Sequence, residues 1–176
     1  SFVHFDVKNY TNAFWNVYYA GYGDGGGTPQ TPIDYVGHEI THGVIRNALG
    51  NLIYIDESAS LNEGYADIFG NCVQHFADQA NFSWLVGEQA GPIRSMADPS
   101  SFGHFAGSYP DTYKGNGWYT GDQDNGGAHL NSTVFSHWFY LVAEGGTGTN
   151  DNGDAYQVNG VGSDKAVAIA YRMLDF

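Results

Sequence analysis

At 176 residues the chain is long enough to bury the core of one domain. Nineteen acidic residues against six Lys and Arg give a net charge of −13, which argues against a nucleic-acid role because phosphate binding needs a basic surface. The 42% hydrophobic and 16% aromatic content argues against disorder, no apolar run approaches the roughly 20 residues of a membrane span, and Cys72, alone in the chain, cannot form an internal disulfide.

From the N-terminus, FVHFDV (2–7) and AFWNVYYAGYG (13–23) are aromatic and β-branched and predict strands, while GDGGGTPQTP (23–32) predicts a loop. After Pro32 the period changes. Ile33, Val36, Ile40, Val44 and Ile45 recur at helical spacing, which predicts one helix over 33–49 ending at Gly50. A second helix is predicted from about Ser60 to Ala80, with Cys72 a small buried apolar residue on it. A long loop-rich segment follows over 87–127, then a third helix over 129–146, an Asn/Gly/Asp-rich loop, and a last helix from about Ser163. The chain opens at Ser1 without an initiator Met or leader pattern, and AVAIAYRMLDF reads as a helix without a C-cap, so a piece of a longer protein is expected.

The chemistry concentrates in HEITH, residues 38–42. Residues four apart on an α-helix share a face, so His38 and His42 can meet one ion, while Glu39 lies about 100° round, within reach of a water there. This is the H-E-x-x-H pattern of zinc peptidases. A catalytic zinc wants three protein ligands and an open position. Glu63 and Asp67 are again four apart, so one can bind the metal while the other accepts a hydrogen bond from a ligand histidine. Leu61, Tyr65, Ile68 and Phe69 predict that their helix is largely buried.

GHEITHGV followed by SLNEGYADIFG resembles the thermolysin family of zinc endopeptidases. The resemblance extends, in order, through TNAFWN, YGDG, NLIYIDES, IRSMADP, DNGGAHLNS and GVGSDKAVAIAYRML, from Asn12 to Leu174. It implies an α+β, zincin-like fold, incomplete at both ends. Residues 1–32 would end a β-rich lobe carrying the substrate edge strand, and 33–176 would be a helical catalytic lobe with the HExxH helix at the cleft.

The same resemblance implies a zinc-dependent endopeptidase. His38, His42 and Glu63 would bind zinc, with Asp67 orienting His38 and Asn62 orienting His42. Glu39 would be the general base, Tyr54 and His129 would donate to the oxyanion, and Asp124 would hold His129. Asn12 and Ala13 would pair with an extended peptide, and Arg94 would bond the carbonyl after the cleaved bond. Ile93 and Val86 fall at an apolar pocket, which implies cleavage on the amino side of Leu, Phe, Ile or Val.

Family members often carry a double calcium site rich in carboxylates. Asp34 and Glu88 stand at matching positions, whereas Gln74, Ser83 and Leu85 stand where further carboxylates are expected, so at most one weak calcium is implied. The expected setting is a secreted bacterial monomer acting on peptides or proteins, with no nucleic-acid or membrane partner. His4, His75, His104 and His137 match nothing catalytic and are assigned to surface or packing. Two other readings stay open: a zinc-binding fragment or pseudoenzyme without turnover, and a calcium- or glycan-binding module suggested by 13 Tyr and four Trp.

Overall fold

The computed structural model describes residues 1–5, 9–50 and 53–175. A short hairpin, β1 (Ala13–Trp15) and β2 (Ala20–Tyr22), leads into helix α1 (Ile33–Leu49) and the long helix α2 (Asp56–Ala77). Three small antiparallel pairs follow the chain onward: β3 (Leu85–Val86) with β4 (Arg94–Ser95), β5 (Gly103–His104) with β6 (Gly107–Ser108), and β7 (Gly145–Thr149) with β8 (Ala155–Asn159). Helix α3 (Asp124–Glu144) precedes β7, and α4 (Ser163–Arg172) closes the order before a single 3₁₀ turn at Met173–Asp175. None of these helices is long and apolar enough to cross a membrane.

Helix α1 occupies the predicted span. Pro32 sets the entry with no amide to satisfy, and Gly50 leaves the helix at φ 72. Helix α2 is central, packed on one side by α1 and on the other by α3. Its contact with α1 is backbone to backbone. A Cβ on Gly37 would come within 2.9 Å of Gly70 Cα, and one on Gly70 within 2.4 Å of Asp34 O, so only glycine lets the two helices cross this closely. Behind the crossing, Ile45, Tyr65, Ile68, Met96 and Phe139 form the buried core, joined by Ala166 and Ala170 of α4.

Several expectations need correction. The strand over 2–7 is absent from the described part: Phe2 makes one isolated bridge to Gly21, and Asp6 and Val7 lie outside the described residues. The second predicted strand is a hairpin, because Asn16 Oδ1 accepts from the amides of Tyr18 and Tyr19 and folds the chain back. Helix α2 starts at Asp56 and ends at Ala77, earlier at both ends than predicted. On it Leu61 is exposed and Phe69 half-buried, while Tyr65 and Ile68 are buried as expected. The Asn/Gly/Asp-rich loop holds the β7–β8 hairpin.

Candidate active site

The close crossing sets the ligand-bearing face of α1 against α2. His38 and His42 project one turn apart, as their spacing requires, toward Glu63. His38 Nδ1–H donates to Asp67 Oδ1 at 2.9 Å, and His42 Nδ1–H donates to Asn62 Oδ1 at 2.6 Å. Both acceptors lack a hydrogen to give, so each ring carries a proton on Nδ1 and turns Nε2 inward, the nitrogen whose lone pair a metal would take.

Three sets of ligand atoms therefore converge. His38 Nε2 lies 3.2 Å from His42 Nε2 and 3.2 Å from Glu63 Oε2, and His42 Nε2 lies 3.5 Å from Glu63 Oε1. Tetrahedral ligands held about 2.0–2.1 Å from one zinc would sit about 3.3 Å apart, so the spacing suits that ion. Glu63 is 2% exposed, and its Oε2 is buried without a hydrogen-bond donor. Two lone pairs and a buried carboxylate facing one another repel unless a cation or proton lies between them. Among the described residues, His38, His42 and Glu63 are the one group of three or more His, Cys, Asp or Glu close enough to hold a metal.

Metal-free electrostatics say the same. Burial opposes the charged imidazole of His38, but the hydrogen bond to Asp67 and the Glu63 carboxylate beside the ring outweigh it and push the ring up to about 10. Burial would raise Glu63, yet His38 and its neighbours hold it well below the usual carboxylate range. The site thus pulls in positive charge. Glu39, one residue from His38, is 7% exposed, and burial pushes its carboxyl up to about 7, where it can both accept and release a proton.

The cleft in front of these groups measures about 670 Å³ and is lined by Asn12, Ala13, Tyr54, Ile93, Arg94 and His129 as well as the ligand helices. Strand β1 forms one wall. Just before it, Asn12 O accepts from Gly23 N at 3.0 Å and Asn12 Oδ1 accepts from Ala13 N at 3.0 Å, so both oxygens of Asn12 are used within the chain. Tyr54 OH donates to Glu63 Oε1. Tyr54 belongs to the segment 51–58, of which Asn51 and Leu52 lie outside the described residues. Val86, paired with Arg94 across β3–β4, is buried, while Ile93 is half open to the cleft.

His129 faces Glu63 from α3, its Nε2 3.3 Å from Oε2. Asp124 grips it twice, accepting from His129 Nδ1–H at 2.6 Å and from the His129 amide at 2.7 Å. Burial works against a charged His129, but the bond to Asp124 and the charge of Glu63 raise it above its ordinary value. This grip depends on an unusual entry to the helix. Asp124, Asn125, Gly126 and Gly127 all have positive φ, between 51° and 90°, and Ser60 Oγ ties the turn to α2 through Gly127 O at 3.2 Å.

Arg94 is 5% exposed, and it binds Asp67 through Nε (2.8 Å) and Nη2 (2.7 Å). The sequence reading gave Asp67 to His38 and Arg94 to substrate, and missed that the two are partners in one buried fork. Burial would raise Asp67, but Arg94 and His38 hold it below its ordinary value. Asp34 and Glu88 lie apart from the cleft, at the corner where α1 and α2 meet the 83–88 segment. Cys72 is half-buried with its thiol pushed up to about 12 by burial, an inert side chain as expected. His137 packs, donating Nδ1–H to Met96 O at 2.8 Å.

Comparison with known proteins gives two family matches: the thermolysin metallopeptidase catalytic domain over residues 1–46, and the thermolysin metallopeptidase alpha-helical domain over residues 50–175. Bacillolysin of Bacillus cereus is 44% identical over 183 residues, covering 98% of this chain and 30% of that protein. The thermostable neutral protease NprT of Geobacillus stearothermophilus is 42% identical, covering 99% and 31% respectively. The solved precursor of protealysin, a metalloproteinase from Serratia proteamaculans, superposes with a TM-score of 0.75 at 32% identity, over 96% of this chain and 53% of that one. The chain thus spans about three tenths of the length of these curated relatives.

Proposed function

The chain belongs to the thermolysin family of metallopeptidases, and from that premise we propose that it carries the catalytic site of a zinc-dependent endopeptidase. The observation that carries the reading is the inward convergence of the two Nε2 lone pairs with the orphaned Glu63 Oε2, braced from behind by Asp67 and Asn62. His38, His42 and Glu63 would hold the zinc. When bound, zinc supplies Lewis acidity toward a carbonyl oxygen and makes water a better acid.

The side chains do the rest. Glu39 takes a proton from the attacking water and returns one to the leaving amine, a task suited to a carboxyl pushed up to about 7. His129, held by Asp124 with Nε2 facing the cleft, donates to the oxygen that gains charge, and Tyr54 can turn its hydroxyl from Glu63 to do the same. Strand β1 offers an edge to an extended peptide, with Asn12 exchanging its hairpin bonds for substrate bonds. The guanidinium of Arg94, fixed by Asp67, reaches the carbonyl after the cleaved bond.

Ile93, which lines the cleft beside Arg94, makes an apolar place for the next side chain, while Val86 is buried outside the lining, so cleavage before Leu, Phe, Ile or Val is favoured. Residues 1–32 then act as the edge of a β-rich lobe and 33–176 as the helical catalytic lobe of a secreted bacterial peptidase. A peptide series varied only after the scissile bond tests the assignment. Cleavage with zinc, fastest before a bulky apolar residue, supports it; equal cleavage before Asp or Gly overturns the preference. A second reading, a zinc-holding chain without turnover, is favoured by the Tyr54 hydroxyl being spent on Glu63 Oε1. One equivalent of bound zinc with no cleavage would select it.

A further inference from the structure

The corner joining α1, α2 and the 83–88 segment is where the family resemblance places calcium ligands, and its side chains do not fit that ion. Glu88 Oε2 accepts from Gln74 Nε2 at 3.2 Å and from Ser83 Oγ at 2.8 Å. Asp34 Oδ2 accepts from Gly87 N at 2.5 Å, and its Oδ1 accepts from Tyr35 N at 2.9 Å. Asn71 Nδ2 donates to the carbonyls of Ser83 and Leu85, both at 3.3 Å. N–H and O–H hydrogens are therefore aimed at both carboxylates a cation would need, and an ion would have to displace them, whereas the amide oxygens of Asn71 and Gln74 are buried without a donor and carry no charge to offset that loss. Turning the Gln74 amide over would set its oxygen against the Glu88 carboxylate, so the donor orientation is fixed. Calcium needs six to eight oxygen ligands with several carboxylates, and no third acidic group joins Asp34 and Glu88 among the described residues.

We infer that Glu88 closes this corner as a hydrogen-bonded brace in place of a cation, so that the corner holds its shape without calcium, and that Gln74→Glu alone turns it into a divalent-cation site. The substitution removes a donor and sets a second carboxylate where Gln74 Nε2 lay, 3.2 Å from Glu88. Two carboxylates at that spacing share either a proton or a metal ion. Water would complete its oxygen shell, because the carbonyls of Ser83 and Leu85 are already held by Asn71 Nδ2.

Terbium reads this corner directly, because Trp84 lies between Ser83 and Leu85 and sensitises emission from an ion bound beside it. With the full chain in calcium-stripped buffer, the wild type should show no Trp84-dependent terbium emission and the same thermal midpoint before and after calcium addition. Gln74→Glu should gain emission that calcium displaces and Trp84→Phe removes, with a midpoint that rises on adding calcium. Wild-type emission that both Trp84→Phe and Glu88→Gln abolish, together with a calcium-raised midpoint, overturns the inference. The wild-type and Glu88→Gln measurements decide the first half whether or not Gln74→Glu folds. A folded Gln74→Glu chain that binds neither ion overturns the second half.

Discussion

His38 Nε2 and His42 Nε2 face each other at 3.2 Å, with the proton of each ring held on the far side by Asp67 and Asn62. Two ring nitrogens this close, with the buried Glu63 carboxylate beside them, need a proton or a cation between them. The arrangement makes sense as half of a ligand set.

The outer partners should therefore tune metal affinity. Asn62→Ala frees the His42 ring to change tautomer and should weaken zinc binding by about 10- to 100-fold with little change in the fold, as measured by competition with a chromogenic chelator. Unchanged affinity would mean that His42 needs no brace. Because the ion must displace a ring proton of His38, which Asp67 and Glu63 hold up to about 10, apparent zinc affinity should increase as pH rises from about 6.5 toward that value. A flat profile over that range would count against His38 as a ligand.

The Arg94–Asp67 fork should matter to stability. Arg94→Ala takes both guanidinium bonds from the buried Asp67 carboxylate, leaving it only His38, and should cost about 3 kcal/mol in denaturant unfolding. The sign with pH follows from Asp67, whose carboxyl is held below its ordinary value in the native state. Its stabilising contribution is present above about pH 4, where the unfolded carboxylate is ionised, and is lost as pH falls through the depressed native value. The Arg94→Ala chain should consequently unfold at a higher pH on acidification than the wild type. Coincident acid transitions would remove Asp67 from the account.

The helix crossing can be probed at Gly70. A methyl there meets Asp34 O at 2.4 Å and the His38 amide at 3.0 Å, so Gly70→Ala should push α1 and α2 apart. An overpacking cost of about 1–3 kcal/mol is expected, with loss of zinc affinity beyond what the lower stability explains. Calorimetry on the same sample gives both numbers, and a stable variant with wild-type affinity would show that the crossing does not set the site.

How far these features could be read beforehand depended on the kind of signal. Helix α1 was legible residue for residue because its apolar period is bounded by Pro32 and Gly50, and the His38, His42 and Glu63 set followed from helical spacing and family resemblance. The β7–β8 hairpin was not, since GGTGT has almost no side chains to alternate and the turn residues around Asn152 and Gly153 read as loop. The Asp67–Arg94 fork joins residues 27 apart, and nothing in spacing tells which acid an arginine will meet. The left-handed turn ahead of His129 left a faint trace, as DNGG combines the residue types that tolerate positive φ. Hydrophobic pattern located α3, and it could not show that Asp124 bends back onto the ring.

On the proposed reading, His38, His42 and Glu63 would hold a zinc among the groups that cleave a peptide bond. The most direct measurement compares zinc content and hydrolysis of a peptide with Leu or Phe after the scissile bond, in wild type and Glu39→Gln. The account predicts one zinc in both, turnover by the wild type that stops when zinc is removed, and a loss of at least about 100-fold in Glu39→Gln. Hydrolysis that persists without zinc and is untouched by Glu39→Gln would contradict it.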